Sequence, residues 1–275
     1  MRLVIQGQQV LPEQLAELTR LASNPFRPLG DHAYSARVES SHTDITTWCE
    51  SQQLDCAFVP DHLTLANIGL VVMDMDSTLI SIECIDEIAD MVGLKPQVAE
   101  ITESAMRGEI EFAESLRRRV ALLEGLNESA LQRVYDERLH LNPGAEFMLT
   151  EFKKRGIRTL LVSGGFTFFT DRLKTHVGLD YAQSNTLEIA DGKLTGKVLG
   201  DIVDAQGKAD ALNRVREELD LSKEQVIAIG DGANDLKMMA IAGAGIAYHA
   251  KPVVRAQATF SLNHVGLEGV IALLQ

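Results

Sequence analysis

The sequence predicts an α/β protein: an open, mostly parallel, Rossmann-like sheet with a helical cap insertion, preceded by a small α/β unit. Four short apolar runs end abruptly in polar or small residues, and helical patterns alternate with them. Between the first run and the helix that starts at Ala145, about 65 residues carry helical periodicity only. Strands that alternate with helices are joined by crossovers, which make neighbouring strands parallel.

The first 66 residues read as the small α/β unit. Leu3-Val4-Ile5 is a short strand, and Pro12 to Ala22 carries Leu15, Leu18 and Leu21 at helical spacing. Tyr34 to Val38 alternates like a strand, Thr43 to Gln53 suits a helix, and Cys56 to Val59 is another strand. Pro60 to Leu65 reads as a linker, and nothing in this segment suggests chemistry. The predicted domains are therefore 1–66 and 67–275, with the cap at about 83–142 and a hairpin at about 186–203.

Ile68 to Met73 is a continuous apolar run ending in Asp74, the pattern of a strand buried on both faces. Thr159 to Val162 ends in Ser163-Gly164-Gly165, Val226 to Ile229 in Gly230-Asp231-Gly232, and Gly245 to Tyr248 in His249. The intervening helices are Ala145 to Arg155, Phe168 to Val177, Lys208 to Leu219 and Asp235 to Ala242. The cap helices are Ile85 to Met91, Val98 to Met106, Phe112 to Leu123 and Glu128 to Arg138. Asp191-Gly192 between alternating apolar residues signals a hairpin. Open parallel sheets bind ligands beyond the carboxyl ends of their strands, and the polar clusters fall at those ends.

Composition narrows the function. Hydrophobic residues at 45% and charged residues at 24% suit a globular protein, and 275 residues can bury a sizeable core. A net charge of −13 argues against nucleic acid or an anionic membrane as partner. No stretch approaches a membrane span. The segment Met1 to Gln6 lacks a signal-peptide apolar region. Cys49, Cys56 and Cys84 match no zinc spacing and read as reduced thiols of a cytoplasmic protein.

Each polar cluster has a bland reading and a chemical one. Asp74-Met75-Asp76 places two carboxylates where a strand runs out. They suit a polar strand end capping the next helix, or a nucleophile and an acid/base around a hard cation. Ser163-Gly164-Gly165 suits an ordinary tight turn, or backbone N–H groups that approach an anion. Gly230-Asp231-Gly232-Ala233-Asn234-Asp235 suits a solvated turn or oxygen ligands for Mg²⁺. Lys208, at a predicted helix start, alone reads as a solvated surface charge.

The order of these clusters resembles the four motifs of the haloacid dehalogenase superfamily, and the resemblance runs from about residue 68 to 275. Within it the chain is similar to the phosphoserine phosphatase family. Asp74-Met75-Asp76-Ser77-Thr78-Leu79, Glu83-Cys84-Ile85-Asp86-Glu87-Ile88, Met106-Arg107-Gly108, Phe112, Ser115 to Val120 and Asp191 to Gly196 carry that likeness. It implies hydrolysis of O-phospho-L-serine through an aspartyl-phosphate, the last reaction of L-serine biosynthesis, with Mg²⁺ as cofactor. It further implies Asp74 as nucleophile, Asp76 as general acid/base, and Ser163 and Lys208 as catalytic groups on the phosphoryl oxygens. Asp74, the carbonyl of Asp76 and Asp231 would hold the metal, with Asp235 behind. Glu83, Arg119, Met106, Phe112, Ser163, Gly164 and Asn234 would bind substrate. Without the resemblance, Glu83 and Arg119 read as an ordinary ion pair on a helix surface. Two other functions stay open: phosphoryl chemistry on a different small ester or amino alcohol, and a non-catalytic amino-acid sensor. The oligomeric state is open too, a homodimer being one option.

Overall fold

In the computed structural model the apolar runs become strands of two sheets. In chain order the elements are β1 (Arg2–Gln6), α1 (Pro12–Ala22), β2 (Arg27–Pro28), β3 (Ala33–Arg37), α2 (Thr43–Ser51) and β4 (Asp55–Val59). These are followed by β5 (Leu70–Met73), α3 (Cys84–Asp90), α4 (Lys95–Met106), α5 (Phe112–Ala121), α6 (Ser129–Glu137) and α7 (Ala145–Lys154). Next come β6 (Arg158–Phe166), α8 (Thr167–Val177), β7 (Tyr181–Ala190), β8 (Lys193–Leu199), α9 (Ala205–Glu218) and β9 (Val226–Gly230). The chain ends with α10 (Leu236–Ile241), β10 (Ala244–Tyr248), α11 (Pro252–Arg255), β11 (Phe260–Leu262) and α12 (Glu268–Leu274). The structure describes residues 1–275 apart from the side chain of Met106, so the expected contact of Met106 with substrate lies outside the described residues.

One sheet has four strands in the order β2-β3-β1-β4 and the other seven in the order β11-β10-β9-β5-β6-β7-β8. The β9–β10, β10–β11 and β6–β7 pairings are parallel, and the β7–β8 hairpin at the edge is antiparallel. At the hairpin tip Asp191 and Gly192 have φ of 50° and 73°. Two successive positive φ values are what a tight hairpin turn demands, and the Asp-Gly pair supplies them.

Contacts divide the chain into two compact units. The first comprises Met1–Val71, Asn142–Arg158 and Arg216–Gln275. Every residue of β9 and β10 is buried, as their unbroken apolar sequences require of strands covered on both faces. Burying each Val, Leu or Ile there contributes about 1.5–3 kcal/mol. In the amino-terminal portion, Leu3, Ile5, Leu18, Ile45, Cys49 and Leu54 form a core of their own. Polar bonds fasten that portion to the carboxyl-terminal segment of the same unit. The buried Arg2 guanidinium donates to the carbonyls of Leu63 (2.7 Å) and Gln275, and Gln6 donates to that of Gly269 (3.1 Å). The Asp55 carboxylate accepts the N–H groups of Asn263 (2.7 Å) and His264 (2.9 Å).

The second unit comprises Val72–Leu141 and Thr159–Val215. It holds the insertion, whose helices α3 to α6 lie close to the sequence expectation. Two boundary differences bear on the site. The strand expected to stop at Val162 runs on through Ser163-Gly164-Gly165 to Phe166, with its register on β7 shifting between Val162 and Phe166. Small residues permit such a bulge, which re-aims side chains without ending the strand. The helix expected from Lys208 starts at Ala205, because Asp204 Oδ1 accepts the N–H groups of Gln206 and Gly207, both at 2.9 Å. Gly207, a poor helix former, hides that start in the sequence.

Candidate active site

Asp74 follows β5, where the chain leaves its buried strand, and is 5% exposed. Its Oδ1 accepts the Met75 N–H at 2.7 Å, and its Oδ2 lies 2.6 Å from Lys208 Nζ. Lys208 is fully buried. The solvated surface lysine is thereby excluded: an ammonium removed from water needs an opposite charge and hydrogen bonds.

Beyond Asp74 the chain makes one wide turn over Met75–Leu79, closed by the Ile80 N–H on the Met75 carbonyl at 3.0 Å. Asp76 and Ser77 depart from helical torsions inside it, Ser77 with a φ of 54°. The turn brings Asp76 Oδ1 within 3.0 Å of the Cys84 N–H at the start of α3. A Cβ on Gly165 would stand 2.9 Å from Asp76 Oδ2 and 3.0 Å from Ser163 Oγ, so only glycine fits between those groups. Ser163 is buried and accepts the Gly165 N–H at 2.8 Å. A Cβ on Gly164 would meet the Phe112 ring at 2.9 Å, which sets Phe112 of α5 against Gly164.

The Asp76 carboxyl is pushed up to about 7, first by burial and then by repulsion from Glu83, against the opposing pull of Cys84 and Lys208. A folded pKa above the ordinary 3.8 means that the folded protein holds this proton more tightly than the unfolded chain. The stabilisation from that proton is present at low pH and lost as pH rises through about 7. In EDTA, Asp76→Asn is therefore expected to raise Tm at pH 8 by several degrees, at about 2–4 °C per kcal/mol, and by much less at pH 5. Thermal unfolding at both pH values checks the sign.

Glu83 accepts a hydrogen bond from Ser77 Oγ at 2.7 Å. The residue keeps an exposed surface, yet desolvation of its carboxyl, reinforced by Asp86, raises its pKa. Arg119 on α5 is half-buried and faces Asp86, Glu83 and Asp76, while burial lowers its pKa. The helix-surface pair is thus a cluster in which one guanidinium faces several carboxylates. Arg119 Nε donates to the Ser115 carbonyl at 3.4 Å.

Gly230 to Asp235 forms a tight turn after β9. Asp235 is fully buried and its Oδ2 accepts the Gly232 N–H at 3.0 Å. A Cβ on Gly230 would fall 2.3 Å from that same oxygen, and one on Gly232 would fall 2.1 Å from Asn234 Oδ1. Asp231 and Asp235 each offer a carboxylate oxygen, and these lie within 4.8 Å of each other. Like charges this close need neutralising, and hard oxygen donors in such a set fit a divalent cation.

Sequence reading missed Asn185, whose side chain bridges Gly164 and Val203, and the Cys84 N–H that holds Asp76. Neither carries a local signal: one is a polar residue inside a strand, the other a backbone group.

The model of the haloacid dehalogenase-like hydrolase family matches residues 68–243. The chain belongs to this family. Among the relatives of this haloacid dehalogenase-like hydrolase is a phosphoserine phosphatase of Polaromonas sp., 52% identical over 221 residues, covering 78% of this chain and 93% of the relative. A crystal structure described as a probable phosphoserine phosphatase of Vibrio cholerae, unliganded, superposes with a TM-score of 0.87 at 41% identity, covering 99% of this chain and 86% of that one. A phospho-aspartyl intermediate analogue of phosphoserine phosphatase superposes at 0.71 with 37% identity, covering 76% of this chain and 99% of that one. No helix among the described residues is long and apolar enough to cross a membrane.

Proposed function

We propose that this chain hydrolyses O-phospho-L-serine to L-serine and phosphate through a phosphorylated Asp74. The buried Lys208–Asp74 pair carries this reading, beside a carboxylate set suited to a cation and relatives named for that activity. Catalysis resides in 67–275, and residues 1–66 contribute no reacting group.

Asp74 attacks phosphorus with one carboxylate oxygen, and the seryl oxygen leaves. Lys208 fixes the attacking carboxylate and places positive charge beside the equatorial oxygens. Ser163 and the Gly164 N–H donate to those oxygens, at about 3 kcal/mol of transition-state stabilisation for each preorganised donor. Asp76, whose carboxyl is raised to about 7, gives its proton to the departing seryl oxygen. It then takes a proton from the water that attacks the aspartyl-phosphate, returning Asp74 and releasing phosphate. Mg²⁺, held by Asp74, Asp231 and the Asp76 carbonyl with Asp235 in support, would neutralise the negative charge that accumulates on the phosphoryl group.

Glu83 and Arg119 suit the two ends of the serine moiety, the carboxylate of Glu83 facing the ammonium and the guanidinium of Arg119 gripping the carboxylate. Phe112 over Gly164 excludes water. Asn234 would contact the phosphate or the substrate in this reading. Arg119→Ala is expected to raise KM for phosphoserine by about tenfold or more, at 1.5–3 kcal/mol for a charged hydrogen bond, and to leave KM for p-nitrophenyl phosphate nearly unchanged. Equal losses on both substrates would remove the carboxylate clamp. Cys49, Cys56 and Cys84 are unlinked thiols, which supports a reducing, cytoplasmic setting.

Phosphate release from L-phosphoserine with Mg²⁺, with and without EDTA, tests the function. Release that EDTA abolishes is expected; no release with metal present would overturn it.

A further inference from the structure

We infer that Asn185 is a positioning residue, a single buried amide that ties the segment carrying Ser163 to the segment that leads into Lys208. The inference rests on the function proposed above.

Asn185 lies in β7, is 1% exposed, and pairs with Phe166 where the register of β6 shifts. Its Nδ2 donates to the Gly164 carbonyl at 2.8 Å, and its Oδ1 accepts the Val203 N–H at 2.8 Å. Gly164 stands between Ser163 and Gly165. Val203 directly precedes Asp204, which caps α9 through Gln206 and Gly207 and accepts the Lys208 N–H at 2.9 Å. The two segments also come close directly, since a Cβ on Gly164 would lie 3.6 Å from the Val203 carbonyl. A bulged strand and a helix entry have no shared backbone ladder to set their spacing. The asparagine amide supplies one, donating at one end and accepting at the other. Aspartate keeps the acceptor toward Val203 but turns an oxygen toward the Gly164 carbonyl; alanine keeps neither bond.

Displacing reacting groups by a fraction of an ångström lowers turnover far more than binding at the distal end of a substrate. Asn185→Asp is therefore expected to lower kcat for phosphoserine about tenfold or more, with KM moving less than about threefold. Thr159→Val serves as the control. It removes a hydroxyl bonded to Asp180 at 3.1 Å in the same unit, with no bond to either segment. At a similar loss of Tm it should keep kcat within about twofold of wild type. Hydrogen exchange gives a readout independent of substrate: 163–166 and 202–207 should lose protection together in Asn185→Asp and not in Thr159→Val. Should Asn185→Asp fail to fold, Asn185→Ala is read by the same criteria. Wild-type kcat in a folded Asn185 variant, or the same loss in the control, overturns the assignment. If the wild-type protein releases no phosphate, the functional reading fails, and exchange still decides whether Asn185 couples the two segments.

Discussion

Asp74→Asn is expected to leave a folded protein whose turnover of phosphoserine is lower by on the order of 10⁴-fold or more, the scale on which a hydrolase loses its nucleophile. The change is nearly isosteric and preserves an acceptor for the Met75 N–H, which donates to Asp74 Oδ1 at 2.7 Å in the wild type. What disappears is the anionic oxygen that attacks phosphorus, together with the charge facing Lys208. The effect therefore falls on kcat, and thermal unfolding separates it from a folding defect. Steady-state kinetics that returned a rate near wild type would take the nucleophile's role away from Asp74.

Lys208→Met is the second large effect. The side chain is fully buried, its ammonium 2.6 Å from Asp74 Oδ2. Methionine fills a similar volume without charge, so packing is largely kept while the counter-charge is lost. Breaking a buried pair by removing one partner costs about 3–5 kcal/mol, and denaturant unfolding in EDTA should show a loss of that order. Turnover should fall by about 10²–10³, the value of one preorganised donor at developing negative charge. Met at an exposed lysine such as Lys154 should change neither quantity measurably.

The central strands were legible because they are buried on both faces. Runs such as Val226 to Gly230 have no polar face to confuse the period, and the polar residues that follow mark where each strand stops. The Asp74, Asp76 and Asp231 clusters stood out for the same reason, as acidic residues where a buried strand runs out, a pattern that a helix cap or a solvated turn shares. Lys208 was ambiguous alone, because nothing local tells a solvated lysine from one removed from water beside Asp74. The continuation of β6 through Ser163-Gly164-Gly165 was hidden, since a bulge and a turn want the same small residues. Asn185 was hidden more deeply. Its partners lie 21 and 18 positions away, and only the folded chain brings them to one amide. The bonds from Arg2, Gln6 and Asp55 to the carboxyl-terminal segment span more than 200 positions, beyond the reach of any local pattern.

Rapid acid quenching of the protein with radiolabelled L-phosphoserine and Mg²⁺ tests the phosphoryl transfer itself. The account predicts an acid-stable, hydroxylamine-sensitive label that maps to the peptide containing Asp74 and forms fast enough to lie on the path to free phosphate. Phosphate released with no protein-bound label, or a label on another residue, would contradict it.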